Sequence, residues 1–201
     1  MKILLEVSAR HAHFSRSELD LLFGKNYKLH IKKYLSQPGQ FLSEEKINIE
    51  VSNLVLENIS ILGPERNQTQ IEISMTDARR IKINPPIRES GDLSGSPGCN
   101  VYGPLGKIKI KTGIIIAKRH VHLHPKDAHQ IGFSNGEICS LKIENTSRPL
   151  IFGGVVVRIN SEFSLAAHID TDEANAACIN GNSCVATIIT SNGALKQNIF
   201  N

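Results

Sequence analysis

One six-residue pattern occurs twice in this chain and limits the available folds more than any other feature. Ser8-Ala9-Arg10-His11-Ala12-His13 precedes one stretch of helical character, and Ala117-Lys118-Arg119-His120-Val121-His122 precedes another. Each copy follows an apolar, strand-like run. Farther along, Glu72-Ile73-Ser74-Met75-Thr76-Asp77-Ala78 aligns with His168-Ile169-Asp170-Thr171-Asp172-Glu173-Ala174, in each case a metal-capable residue, then Ile, then an acidic helix start. Each copy also has an arginine in between, Arg66 and Arg158. Blocks repeated in one order mark a duplicated unit. The 201 residues therefore read as two related halves with a boundary near residue 118.

The unit being repeated is mostly β. Alternation is clearest in Lys46-Ile47-Asn48-Ile49-Glu50-Val51 and Lys107-Ile108-Lys109-Ile110-Lys111, a period-2 pattern that makes one strand face apolar. Ile- and Val-rich runs at 2–8, 54–62, 69–74, 113–118, 138–144, 151–159 and 184–190 are further strand candidates. Helices are few and short. Ser15 and Glu18 form a capping-box pair ahead of Leu19, Leu21, Leu22 and Phe23, with Gly24 as the stop. Pro125 opens a second helix that ends by Gly132, and two more start near Thr76 and Asp172. The Pro/Gly-rich stretch 84–106 reads as a long loop.

Composition excludes several classes. Hydrophobic residues at 40% and charged residues at 21% describe a chain with a real core. A formal charge of +4, no Trp and 5% aromatics leave neither a strong basic patch nor stacking platforms, so a nucleic-acid partner is not expected. No apolar run reaches the length of a membrane span. Cys99, Cys139, Cys178 and Cys184 show neither CxxC spacing nor a disulfide framework, and the start lacks a signal peptide's apolar region, which together predict a cytoplasmic protein.

The chemistry sits on the histidines, eight in number. Residues i and i+2 of a strand share a side, so His11 with His13, and His120 with His122, each present two imidazoles to one metal ion. Imidazole suits zinc, and Glu72 and His168, at equivalent places in the repeat, are the candidate third ligands. Three protein ligands leave coordination positions open, as in catalytic zinc sites. Arg66 and Arg158 supply guanidinium groups, which suit bidentate recognition of phosphate. Arg10 and Arg119, odd relative to the histidines, face the other way and read as structural. His124 reads as a cap or surface residue, and His30 and His129 as surface residues.

These blocks resemble the PduL-type phosphotransacylases, or phosphate propanoyltransferases. The resemblance runs from Val7-Ser8-Ala9-Arg10-His11-Ala12-His13 through Leu35-Ser36-Gln37-Pro38-Gly39-Gln40, Leu62-Gly63-Pro64-Glu65-Arg66, Thr69-Gln70-Ile71-Glu72 and Pro86-Ile87-Arg88-Glu89-Ser90-Gly91-Asp92. It continues through the second histidine block to His168-Ile169-Asp170-Thr171-Asp172-Glu173-Ala174-Asn175-Ala176. It implies two β-barrel domains with short capping helices and an active site between them, at 9–118 and 119–201, with strand 1–8 joining the second barrel. It further implies two Zn2+ ions, one on His120, His122 and His168 and the other on His11, His13 and Glu72. Arg66 matches an arginine that engages phosphate, Arg158 and Ser8 match further polar residues of the site, and Arg88, Ser90 and Gly91 match a loop near coenzyme A.

The activity implied is reversible transfer of a short acyl group, acetyl or propanoyl, between coenzyme A and inorganic phosphate. Acyl-CoA and phosphate are then the small-molecule partners, and the choice between monomer and homodimer is open. Ala12 and Phe14 replace more commonly aliphatic residues of the family and leave the ligands intact. Relatives housed in microcompartments carry an amphipathic N-terminal segment; here Met1 stands almost directly on the first strand, so the expectation is a free cytoplasmic enzyme. From the residues alone, two rival readings stand: a dinuclear zinc hydrolase acting on an ester, thioester or phosphoester, and a non-enzymatic zinc-binding β-barrel module.

Overall fold

The computed structural model describes residues 1–191; residues 192–201 of the expected second domain lie outside them. In chain order the first elements are β1 (Lys2–Ser8), β2 (His11–His13), α1 (Arg16–Phe23), β3 (Ile31–Tyr34), β4 (Phe41–Val51) and β5 (Leu54–Gly63). Then come β6 (Gln70–Glu72), α2 (Met75–Arg80), β7 (Ile87–Arg88), β8 (Cys99–Tyr102), β9 (Lys107–Ile110) and β10 (Ile114–Ala117). The remainder is β11 (His120–Leu123), α3 (Pro125–Ile131), β12 (Ile138–Ile143), β13 (Leu150–Ile159), β14 (Ala166–Asp170), α4 (Thr171–Ala176) and β15 (Ser183–Thr190). The protein is mainly β with short helices, as the alternation predicts.

Two compact units emerge. One contains Met1–Ser8, Ser36–Pro38 and the described chain from Lys118 to residue 191; the other contains Ala9–Leu35 and Gly39–Ala117. In the first, the strands close into a barrel in the order β1-β14-β11-β13-β12-β15, with β15 returning antiparallel to β1. Leu5, Val121, Leu141, Val155, Val157 and Ile188 fill it. Period-2 placement accounts for this: in β1, Ile3 and Leu5 are buried while Leu4 between them is exposed.

The second unit is a nine-stranded curled sheet, with the path β7-β10-β6-β2-β5-β4-β8-β9 and β3 added on β4. Its core contains Phe14, Leu19, Leu22, Ile47, Ile49, Ile59, Ile61 and Ile71. Strand for strand it repeats the barrel. β10 lies parallel to β6 as β1 lies parallel to β14, and β6 antiparallel to β2 as β14 is to β11. β2 runs parallel to β5 as β11 does to β13. β5 with β4 and β4 with β8 match β13 with β12 and β12 with β15. The second barrel implied by the resemblance takes the form of a half-barrel because β8, the counterpart of β15, carries β9 on its other edge.

Local signals fix the helices. Ser15 accepts from the Glu18 backbone N–H at the start of α1. His124 caps α3, accepting from the Lys126 N–H, and Gly132 ends it in the left-handed region at φ 79°. Asp170 and Glu173 form a full capping box on α4. The stretch 84–106 is not the continuous loop that its Pro and Gly content predicts. Alternation over four residues, Cys99 and Val101 buried, is enough to make β8 an interior strand of the sheet. Gly106 is required there, since a Cβ would stand 2.2 Å from the Leu21 carbonyl oxygen of α1.

Because β1 closes the barrel with a fully buried Leu5, Leu5→Ala leaves a cavity and should cost about 2–5 kcal/mol. Denaturant unfolding followed by far-UV circular dichroism checks this; a loss below about 1 kcal/mol would show that β1 is not an integral barrel strand.

Candidate functional site

The two histidine strands are short, and strand pairing aims their side chains. β2 pairs with β6 so that His11 stands opposite Glu72 and His13 opposite Gln70. β11 pairs with β14 in the same way, His120 opposite His168 and His122 opposite Ala166. Since alternate residues share a sheet face, two groups form: His11, His13 and Glu72 in one unit, and His120, His122 and His168 in the other. Within each group the candidate ligand atoms lie within 4.8 Å of one another.

Backbone carbonyls orient three of the rings. His11 Nδ1 lies 2.9 Å from the Ala9 oxygen, His120 Nδ1 2.8 Å from the Lys118 oxygen, and His13 Nδ1 3.2 Å from the Leu62 oxygen. A carbonyl only accepts, so each Nδ1 donates and each Nε2 keeps its lone pair. His11 Nε2 faces Glu72 Oε2 at 3.4 Å. Burial opposes charge on His11, but the Glu72 carboxylate outweighs it and raises the pKa. His13, buried beside His11 and Arg66, is held well below the usual imidazole range.

His122 is the decisive test of fit to a metal. It is 7% exposed, stacks on Phe163 with ring centroids 4.1 Å apart, and among the described residues neither ring nitrogen has a hydrogen-bond partner. Burial first, then the neighbouring His120 and His168, push its pKa down to about 2. A buried polar group left in this state costs about 1–3 kcal/mol. A neutral imidazole with an available nitrogen is the form that binds a transition metal. Sets of three imidazoles, or two imidazoles and a carboxylate, match the donors of open zinc sites. The residues present therefore fit the ion.

The odd residues of both motifs form a duplicated brace. Arg10 donates to Asp77 at 3.0 Å, and Arg119 pairs with Glu173 at 2.7 Å. Asp77 and Glu173 both sit in the first turn of the helix that follows a third candidate ligand. Each histidine strand is thereby tied to that helix, which gives the two arginines the structural role read from their position.

The remaining predicted residues are distributed as follows. Arg66 lies close enough to His11 and His13 to oppose their protonation, and its Nη1 donates to Ser90 Oγ at 3.0 Å. Arg158 lies over the Phe163 ring and pairs in register with His122. Its counterpart in the other unit is Leu62, not Arg66, because Ser60 stands to His11 as Val156 stands to His120. The two arginines are thus not copies of one ancestral position. Ser8 ends β1 opposite Asp170. Arg88 is engaged within its own loop, by the Ser94 carbonyl at 3.2 Å and Asp92 at 3.5 Å, while Gly91 turns at φ 102°.

Two residues escaped sequence reading. Gln70 is buried and links the loop to the ligand group: its Nε2 reaches Glu72 at 2.5 Å and Ser90 at 2.8 Å, and its Oε1 accepts from the Gly91 N–H at 2.7 Å. Its spacing from Glu72, two residues along a strand, was the available signal. Phe163 lies outside every motif and gave none.

Comparison with known proteins decides the family. A phosphate propanoyltransferase family profile matches residues 4–180. The chain belongs to this family. It is 47% identical over 178 residues to the phosphate propanoyltransferase of Thermotoga maritima, covering 89% of this chain and 85% of that one. The phosphate propanoyltransferase of Enterococcus faecalis is 48% identical over 172 residues, 86% and 81% of the two chains. That of Shewanella putrefaciens is 46% identical over 187 residues, 93% and 88%. As a member of the phosphate propanoyltransferase family, the protein is an acyltransferase enzyme. Among the described residues no helix is long and apolar enough to cross a membrane.

The unsatisfied imidazole of His122 carries an expected trade-off. His122→Leu should stabilise the metal-free protein by about 1 kcal/mol, since it removes a buried polar group without a partner. The same variant should load less zinc. Thermal unfolding of chelator-treated protein measures the first effect, and a destabilised metal-free variant would contradict it.

Proposed function

We propose that this protein catalyses reversible acyl transfer between coenzyme A and inorganic phosphate in the cytoplasm, acyl-CoA + phosphate ⇌ acyl phosphate + CoA, with propanoyl or acetyl as the acyl group. The observation that carries the reading is a guanidinium beside a buried histidine group in a phosphate propanoyltransferase family member: Arg66 against His11 and His13. Phosphate is the anion this group grips bidentately.

In this reading His11, His13 and Glu72 hold one Zn2+, and His120, His122 and His168 hold another. When bound, zinc supplies a Lewis acid for the thioester carbonyl and affinity for a thiolate. The chain's own residues supply position and charge. Arg66, steadied by Ser90, fixes phosphate with one oxygen directed at the acyl carbon. Such positioning removes about 7–11 kcal/mol from a bimolecular barrier at best. The oxygen–carbon bond forms, the carbon–sulfur bond breaks, and the electron pair leaves on the sulfur of CoA. Arg158 and Ser8 provide the polar contacts of the barrel unit's histidine group. Arg88, Ser90 and Gly91 contribute the loop toward CoA, with Gln70 tying that loop to Glu72.

The test is CoA release from propanoyl-CoA by the zinc-loaded protein, with and without phosphate. Release should require phosphate and yield an acyl phosphate that hydroxylamine traps; release of equal rate without phosphate would make the protein a hydrolase. Arg66→Ala should raise the phosphate KM about tenfold or more, a loss of about 1.4 kcal/mol or greater, and an unchanged KM would remove Arg66 from phosphate binding.

A further inference from the structure

The duplication makes the two histidine groups comparable residue by residue, and one difference between them has no assigned role. In the open-sheet unit the third ligand position is Glu72, and the strand beside it, β10, places Ile115 opposite. In the barrel the third position is His168, and the corresponding strand, β1, places Glu6 opposite. One unit thus has a carboxylate as a candidate ligand with an apolar neighbour. The other has an all-imidazole group with a carboxylate next to it.

Glu6 is aimed at that group. Its Oε2 lies 3.7 Å from His168 Nδ1 and accepts a hydrogen bond from Ser36 Oγ at 2.5 Å. The contact with His168 is electrostatic, longer than a direct hydrogen bond, and Nδ1 is the ring atom turned to the carboxylate. Ser36 is itself held. Its neighbour Gln37, 4% exposed, donates to the Ser164 carbonyl at 3.0 Å and accepts from the Ser164 N–H at 3.3 Å. This gives a purpose to the Leu35-Ser36-Gln37-Pro38-Gly39-Gln40 block.

We propose that Glu6, fixed by Ser36, is the positioning carboxylate of the barrel unit's metal group: it keeps the His168 proton on Nδ1, so that Nε2 faces the ion, and it supplies the negative charge that Glu72 supplies directly in the other unit. For His11, His13 and His120 a backbone carbonyl performs the orienting part of this task. Where His11 has the candidate ligand Glu72 as its charged neighbour, His168 has Glu6, which offsets the ion's two positive charges in a group whose ligands are all neutral. Carboxylate partners of this type change metal affinity by about 10–100-fold when removed.

The inference rests on reading His120, His122 and His168 as a zinc site, and one experiment separates the two. Metal-free wild type, Glu6→Gln and Ser36→Ala are titrated with Zn2+ against a chromogenic chelator, and the histidine tautomers are read by 15N-resolved NMR of the metal-free proteins. Wild type should bind two ions. Glu6→Gln should weaken one of them about 10–100-fold, leave the other unchanged and reduce the Nδ1–H population of His168; Ser36→Ala should act in the same direction and less. Two equal, unaltered affinities in Glu6→Gln, or equal weakening of both, would overturn the role of Glu6 while the metal reading stands. Wild type that binds no ion at this triad overturns the metal reading and the role of Glu6 with it.

Discussion

The antiparallel pairing of each histidine strand with the strand that bears its third candidate ligand is the constraint on which the rest of the structure depends. His11 must face Glu72 and His120 must face His168. A slip of one residue would turn every candidate ligand to the opposite face. Burial prevents it: Ala12 and Val121, the alternate residues of the two strands, lie in the two cores at 0% exposure. The Arg10–Asp77 and Arg119–Glu173 braces add a second lock on the same register. Core and candidate site are therefore specified by one alternation, apolar residues inward and candidate ligands on the other face.

Duplication supplied that geometry twice, and the chemistry then diverged at single positions. Where one unit has Leu62, the other has Arg158; where one has Ile115, the other has Glu6; where one has Glu72, the other has His168. The strand pairings around these positions are the same, so the differences are substitutions on a retained frame. Net charge is distributed accordingly. Burial with Arg66 nearby keeps His13 neutral, and burial with two imidazoles and Arg158 nearby keeps His122 neutral.

Much of this was legible in the sequence because local rules govern it. The HxH spacing placed His11 with His13 and His120 with His122, and the downstream repeat brought in Glu72 and His168. The caps at Ser15 and His124 and the stop at Gly132 follow from side-chain and backbone preferences of single residues, whereas the capping box that starts α4 at Asp170 lies two residues ahead of the start expected near Asp172. What was not legible depends on long-range pairing. β8 is too short for its alternation to stand out in a Pro/Gly-rich stretch. The half-barrel follows from β9 occupying the free edge of β8, which composition does not encode. Arg66 and Arg158 looked equivalent by order along the chain, and only the strand register separates them. Phe163 and Glu6 matter through partners in other strands or loops, and Gln70 through a loop that returns to it.

The most direct test of the account is the zinc content of purified protein bearing His11→Ala, His120→Ala or both substitutions, measured by mass spectrometry alongside a folded-state check by circular dichroism. If each unit builds its own ligand group by the same pairing, wild type carries two ions per chain, each single variant carries one, and the double variant carries none. Folded single variants that retain both ions, or a wild type that carries one ion lost equally in either variant, would contradict it.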